Sequence, residues 1–166
     1  MADLKYWVGF SRIPGIGRAR FSQLEEHFGN LEDAWNAPAG ELRRAGLDSK
    51  SIEAIVAQRP NVSLDNEMER LGSYGVRALT WNDSDYPSRL KEIYDNPPVL
   101  YVRGSLLPED ECCLAVVGTR RVTIYGRQVT EEITTDLARN KITIVSGLAR
   151  GIDSVAHRAA LGVEAL

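Results

Sequence analysis

Histidine and cysteine are the scarcest of the chemically versatile residues in this chain, two of each in 166 positions. His27 and His157 are the only imidazoles, and Cys112 and Cys113 are adjacent. That leaves neither the ligand spacing of a zinc site nor the framework of a disulfide-stapled domain. Such cysteine usage fits a reducing, cytoplasmic location. No stretch approaches the roughly 20 apolar residues that cross a membrane. Met1-Ala2-Asp3-Leu4-Lys5 also lacks a basic start ahead of an apolar run, so the chain reads as soluble and unexported. Positive charge is not in excess: 20 Lys and Arg stand against 23 Asp and Glu, a formal net charge of −3. Any contact with nucleic acid must therefore come from a local patch.

Nucleotide and hydrolase signatures are missing as well. Gly118 stands alone where a dinucleotide fold wants G-x-G-x-x-G, and the strand ending at Val145 runs into Ser146-Gly147 rather than an acidic residue. A nicotinamide or flavin cofactor is disfavoured, and no cofactor is expected. No Gly-Lys-Ser/Thr occurs, which argues against nucleotide hydrolysis. Ser146, Asp153 and His157 hint at a triad, but there is no G-x-S-x-G elbow, and Asp153 and His157 lie four apart on one helix. Asp153 reads instead as a helix N-cap and His157 as a packed or capping side chain. The chain is not expected to be an enzyme.

What remains is ordinary globular material, 43% hydrophobic and 26% charged, enough for one full domain or two small ones. The first part is helical. Trp7, Val8 and Phe10 lead into Ser11-Arg12-Ile13-Pro14-Gly15-Ile16-Gly17, after which Phe21, Leu24, Phe28 and Leu31 recur at helical spacing. A fainter echo runs from Glu41 to Lys50, followed by Ile52, Ile55 and Val56. The pattern predicts a helix-hairpin-helix in which Gly15 and Gly17 take backbone angles closed to other residues. Amides at the next helix start, with Arg12, Arg18 and Arg20 around them, offer a secondary DNA contact. The other reading of the same turn is pure scaffold or partner contact. A helix is expected over 61–74, a strand from Val76, a short helix from Arg89 and a second strand from Val99. The domain boundary is placed between Gly72 and Val76, giving an all-α helix-hairpin-helix (SAM-like) domain over 1–73 and a second domain over 76–166.

From Leu114 the alternation is plain: strand to Val117, helix from Gly126 to Asn140, strand from Ile142 to Val145, helix from Asp153 to Leu161. Near-continuous apolar strands suit a sheet covered on both faces. A right-handed βαβα crossover makes the strands parallel and sets two glycine turns, Gly118-Thr119-Arg120-Arg121 and Ser146-Gly147-Leu148-Ala149-Arg150-Gly151, at one sheet edge. Exposed amides at helix starts, with arginines beside them, suit phosphate oxygens. The expected fold class is α/β, a small helical domain followed by a Rossmann-like parallel-sheet domain.

Val116-Val117-Gly118-Thr119-Arg120 with Tyr125-Gly126, Ser146-Gly147-Leu148-Ala149-Arg150-Gly151-Ile152-Asp153 and Ala156-His157 resemble the signature of the DprA/Smf family of DNA-processing proteins. Asp85-Tyr86-Pro87, Leu90 and Pro97-Pro98-Val99-Leu100-Tyr101 match the stretch preceding the family's core. The resemblance implies a non-enzymatic protein that binds single-stranded DNA without sequence specificity and helps load the RecA recombinase in natural transformation. It also implies a homodimer in the intact protein. By motif position, Arg120 becomes a principal phosphate ligand, Gly118, Thr119, Ser146 and Gly147 give backbone or hydroxyl contacts, and Arg150 flanks the groove. Tyr125 is either a face for base stacking or a packed side chain. Family members continue beyond the helix that ends near Leu161, so the sheet is expected to be truncated here. Two other readings stay open: a nucleotide- or phosphoribosyl-binding enzyme, and a protein-interaction module acting through the helical domain.

Overall fold

A computed structural model describes residues 3–164; Met1 and Ala2, in the N-terminal reading above, and Ala165 and Leu166 lie outside the described residues. The described chain is mixed α/β and divides into two compact units, the first ending at Ser105 and the second beginning at Leu106.

In the first unit, α1 (Leu4–Ser11), α2 (Arg18–Phe28), α3 (Leu31–Asn36), α4 (Ala39–Arg44), α5 (Ser49–Gln58) and α6 (Leu64–Ser73) precede an antiparallel pair, β1 (Val76–Thr80) and β2 (Val99–Arg103), with α7 (Ser88–Lys91) between the strands. Leu31 does not continue α2 as its spacing suggested. Gly29 takes a left-handed conformation, φ 74°, which ends α2, and Asn30 caps α3 by accepting from the Asp33 amide. Of the two turn glycines, only Gly15 needs freedom from a Cβ, with φ 85°; Gly17 is extended, which any residue could adopt.

Aromatic packing holds this unit together. Trp7 stacks on Phe21 at 5.4 Å, Phe10 meets Trp35 edge-on at 5.0 Å, and Trp81, just after β1, meets Trp7 edge-on at 5.6 Å. Each such pair contributes about 1 kcal/mol beyond its buried area. Ile13 and Ile16 of the α1–α2 turn are buried in the same core, as are Ala78 of β1 and Val99 of β2. That sharing explains why the first compact unit extends to Ser105, beyond the boundary expected between Gly72 and Val76: the two strands pack on the helices.

In the second unit, a 3-10 turn (Pro108–Glu111) leads to β3 (Cys113–Ala115), α8 (Ile124–Arg139), β4 (Thr143–Val145) and α9 (Ile152–Glu164). β3 and β4 are parallel, with Cys113 opposite Thr143 and Ala115 opposite Val145. The ladder is shorter than the apolar runs, and the strands are not enclosed by the described residues: Leu114 is 44% and Val145 48% exposed.

Asp48 shows how the first unit uses charge. Its carboxylate caps α5, accepting from the amide and hydroxyl of Ser51, and pairs with Arg20. These bonds, led by the Ser51 amide, pull its pKa down to about 2 from an ordinary 3.8. A depressed carboxyl pKa stabilises the fold above the unfolded value, and the benefit disappears as pH falls through the folded one. Asp48→Ala is therefore expected to lower the thermal midpoint at neutral pH, with the gap from the parent chain closing between about pH 4 and pH 2. Thermal melts across that range check it; a gap that does not depend on pH refutes it.

Candidate functional site

The two glycine turns meet in the second unit. Parallel β3 and β4 both run toward them, so each strand delivers its turn to the same sheet edge. Past the ladder, the Val116 amide donates to the Val145 carbonyl at 2.9 Å, and the Ser146 hydroxyl donates to the Val116 carbonyl at 2.7 Å. The Ile152 amide, opening α9, donates to the Thr119 carbonyl at 3.1 Å.

Two glycines permit this contact. At Gly151, φ 90°, an added Cβ would lie 2.2 Å from the Thr119 carbonyl oxygen and 2.7 Å from the Arg120 Cα. At Gly118 it would lie 2.5 Å from Ile152 Cγ1. Gly126, in the first turn of α8, also faces Ile152, with 4.0 Å between its would-be Cβ and Ile152 Cδ1. Ile152 is thus the post around which both turns and the start of α8 close.

The side chains implied by the resemblance divide into two groups. Arg120 and Arg150 are exposed and make no ion pair or side-chain hydrogen bond among the described residues. Their backbones are neighbours, because Arg150 precedes the glycine that rests on the Arg120 peptide. Tyr125 is 77% exposed, so the packed alternative is not the one realised. Gly118 and Gly147 are exposed. Thr119 and Ser146 engage their hydroxyls with main-chain groups of the turns. Thr119 Oγ1 accepts from the Arg121 amide at 3.1 Å, and Ser146 is engaged with Val116. These two side chains shape the turns, leaving main-chain groups for any ligand.

Asp153 is not the N-cap. α9 begins at Ile152, which puts Asp153 inside the helix, and its buried carboxylate turns back to accept from the Ala149 amide at 3.3 Å. Its Oδ2 lies 3.0 Å from where a Gly147 Cβ would stand, so the carboxylate underpins the second turn. His157 Nε2 is buried without a hydrogen-bond partner among the described residues. Gly151, Ile152 and Leu148 escaped the residue-by-residue reading. The signal for Gly151 was a glycine directly before an Ile-Asp helix start; nothing local marks Ile152 as the contact.

The arginines of the helical hairpin are differently placed. Arg18 Nε donates to the buried Asn96 amide oxygen at 2.6 Å, Arg20 pairs with Asp48, and Arg12 lies 3.5 Å from Glu67. Each is engaged within the first unit, whereas Arg120 and Arg150 have no such partner among the described residues.

A parallel strand pair that presents amide-rich turns and unpaired guanidiniums at one edge defines an α/β unit suited to anionic oxygens. Residues 77–165 match the family described as DNA recombination-mediator protein A. The chain belongs to that family. It is 38% identical to Protein Smf of Synechocystis across 98% of this chain and 42% of that one. With the DNA processing protein DprA of Bacillus subtilis the identity is 37%, across 76% of this chain and 46% of the relative. The X-ray structure of DNA processing protein A from Streptococcus pneumoniae superposes with a TM-score of 0.67 at 25% identity, covering 96% of this chain and 54% of that one. The chain thus spans less than half the length of these curated relatives. No helix among the described residues is long and apolar enough to cross a membrane.

The interlock predicts an asymmetry between glycines. Gly151→Ala is expected to destabilise the second unit by about 3 kcal/mol, because the methyl overlaps backbone and φ is unfavourable. Gly162→Ala, whose methyl meets open space on α9, should stabilise by up to about 1 kcal/mol. Urea unfolding of the whole chain measures both, and similar midpoints for the two variants would contradict the interlock.

Proposed function

We propose that the chain binds single-stranded DNA without sequence specificity through the joined turns of its second unit. Phosphate oxygens meet the turn amides, and Arg120 and Arg150 supply the charge. The observation that carries this reading is the contact of Gly151 with the Thr119–Arg120 peptide, which sets two unpaired arginines on adjacent backbone. A polyanion recruited this way loses affinity steeply with salt, because each neutralised phosphate releases counterions. The site needs no catalytic group in this role, and the chain acts as a binder rather than an enzyme.

Family membership supports placing this activity in DNA processing, with the intact protein working as a homodimer that helps load RecA onto the strand during natural transformation, in the cytoplasm. In the same proposal the first unit's α1–α2 turn is a helix-hairpin-helix, and the parallel pair of β3 and β4 is the opening part of a Rossmann-like core. The α1–α2 turn takes the scaffold role in this proposal, since Arg12, Arg18 and Arg20 are engaged internally.

Arg120→Ala should weaken oligo-dT binding about tenfold and lower the salt slope by about one phosphate equivalent, with stability unchanged. Arg18→Ala should leave binding near the parent value and lower stability, because it orphans the buried Asn96. Fluorescence anisotropy over a salt series, with thermal melts beside it, tests the pair. Equal loss of binding from both variants would move the contact onto the helical hairpin. Saturable mononucleotide binding that oligo-dT does not displace would favour an enzyme instead.

A further inference from the structure

Leu148 combines two unfavourable properties. Its backbone lies in the left-handed region, φ 58°, where the Cβ of a bulky residue crowds the chain. Its side chain is 82% exposed, so no packing among the described residues compensates. Strain of this kind persists where the surrounding structure enforces it, and it gathers at ligand clamps. Here the enforcing contacts are those on either side: Asp153 beneath Gly147 and Ala149, and Gly151 against Thr119.

Leu148 is not alone. Val117 is 77% exposed, Ile124 88% and Tyr125 77%, and none of the three is remote. Val117 and Gly147 continue neighbouring strands just past the Val116 to Val145 and Ser146 to Val116 hydrogen bonds. Ile124 and Tyr125 open α8, whose Gly126 approaches the same Ile152 that meets Gly118. Exposed apolar side chains thus accompany Arg120 and Arg150. An inorganic anion or a duplex backbone uses only the charged half of such a surface. A single strand offers both chemistries at once, phosphates along one side and unstacked base faces along the other.

We propose that Leu148, with Tyr125, forms the base-contacting half of the site: the turn holds the leucine outward so that its side chain meets the face of an unstacked nucleobase while Arg120 holds a neighbouring phosphate. The proposal rests on the single-stranded DNA reading and adds to it that affinity depends on bases as well as on charge.

The test compares oligo-dT with an abasic oligonucleotide of equal length at one salt concentration, using the whole chain and fluorescence anisotropy. The parent chain should bind oligo-dT about tenfold more tightly than the abasic strand. Leu148→Gly should remove most of the preference for oligo-dT, with Tyr125→Ala in addition removing the rest, and should leave abasic binding unchanged and melt at or above the parent temperature, since glycine relieves the backbone. Equal affinity of the parent for both strands, or a Leu148→Gly chain whose preference for bases is undiminished, overturns the proposal. So does equal loss on both strands, which would mark Leu148 as a shaper of the turn. A change in sedimentation without change in base preference would assign the leucine to a protein contact and overturn it too. Arg120→Ala, by contrast, should weaken both strands; binding of neither strand by the parent chain would remove the DNA reading itself.

Discussion

The contact between Gly151 and the Thr119–Arg120 peptide is the constraint on which the second unit's chemistry depends. Two turns about thirty residues apart in the chain could sit at one sheet edge and still diverge; here the backbones touch, and a carbonyl–amide hydrogen bond fixes them. Such closeness is open only to glycine on one side. The two hydroxyls that the family resemblance assigns to a ligand are instead engaged with main-chain groups of the turns.

The two units solve opposite problems. The first buries three tryptophans, wholly or in part, with Phe10 and Phe21 in one cluster, and engages its turn arginines with acidic and amide partners. The second leaves arginines unpaired and apolar side chains exposed on its turns. Hydrated arginines beside exposed apolar side chains are the pairing on which the proposed contact with a single strand rests.

Much of this architecture was legible in the residues. The parallel strand pair and the shared edge of the turns followed from alternating strand and helix patterns, because handedness leaves one way to cross over. The family followed from the long Ser146–Asp153 signature. The break between α2 and α3 was hidden, because Leu31 keeps helical spacing across a glycine that spacing alone does not weigh. Asp153 read as a cap because acidic residues are favoured at that position; α9 instead starts at Ile152, so Asp153 already lies inside the helix, and no local pattern announces that. The strain at Leu148 was equally invisible, since leucine carries no tendency toward left-handed geometry.

The sparse interior of the second unit has a thermodynamic consequence. Among the described residues its buried side chains are Thr134, Asp153, Val155 and Ala156, of which only the last two are apolar. Whatever seats itself on the interlocked turns touches segments from both halves of the unit at once and, by mass action, shifts the folding equilibrium of the whole. Occupancy and foldedness become two readings of one equilibrium, and resistance to proteolysis would then rise and fall with the concentration of the bound strand.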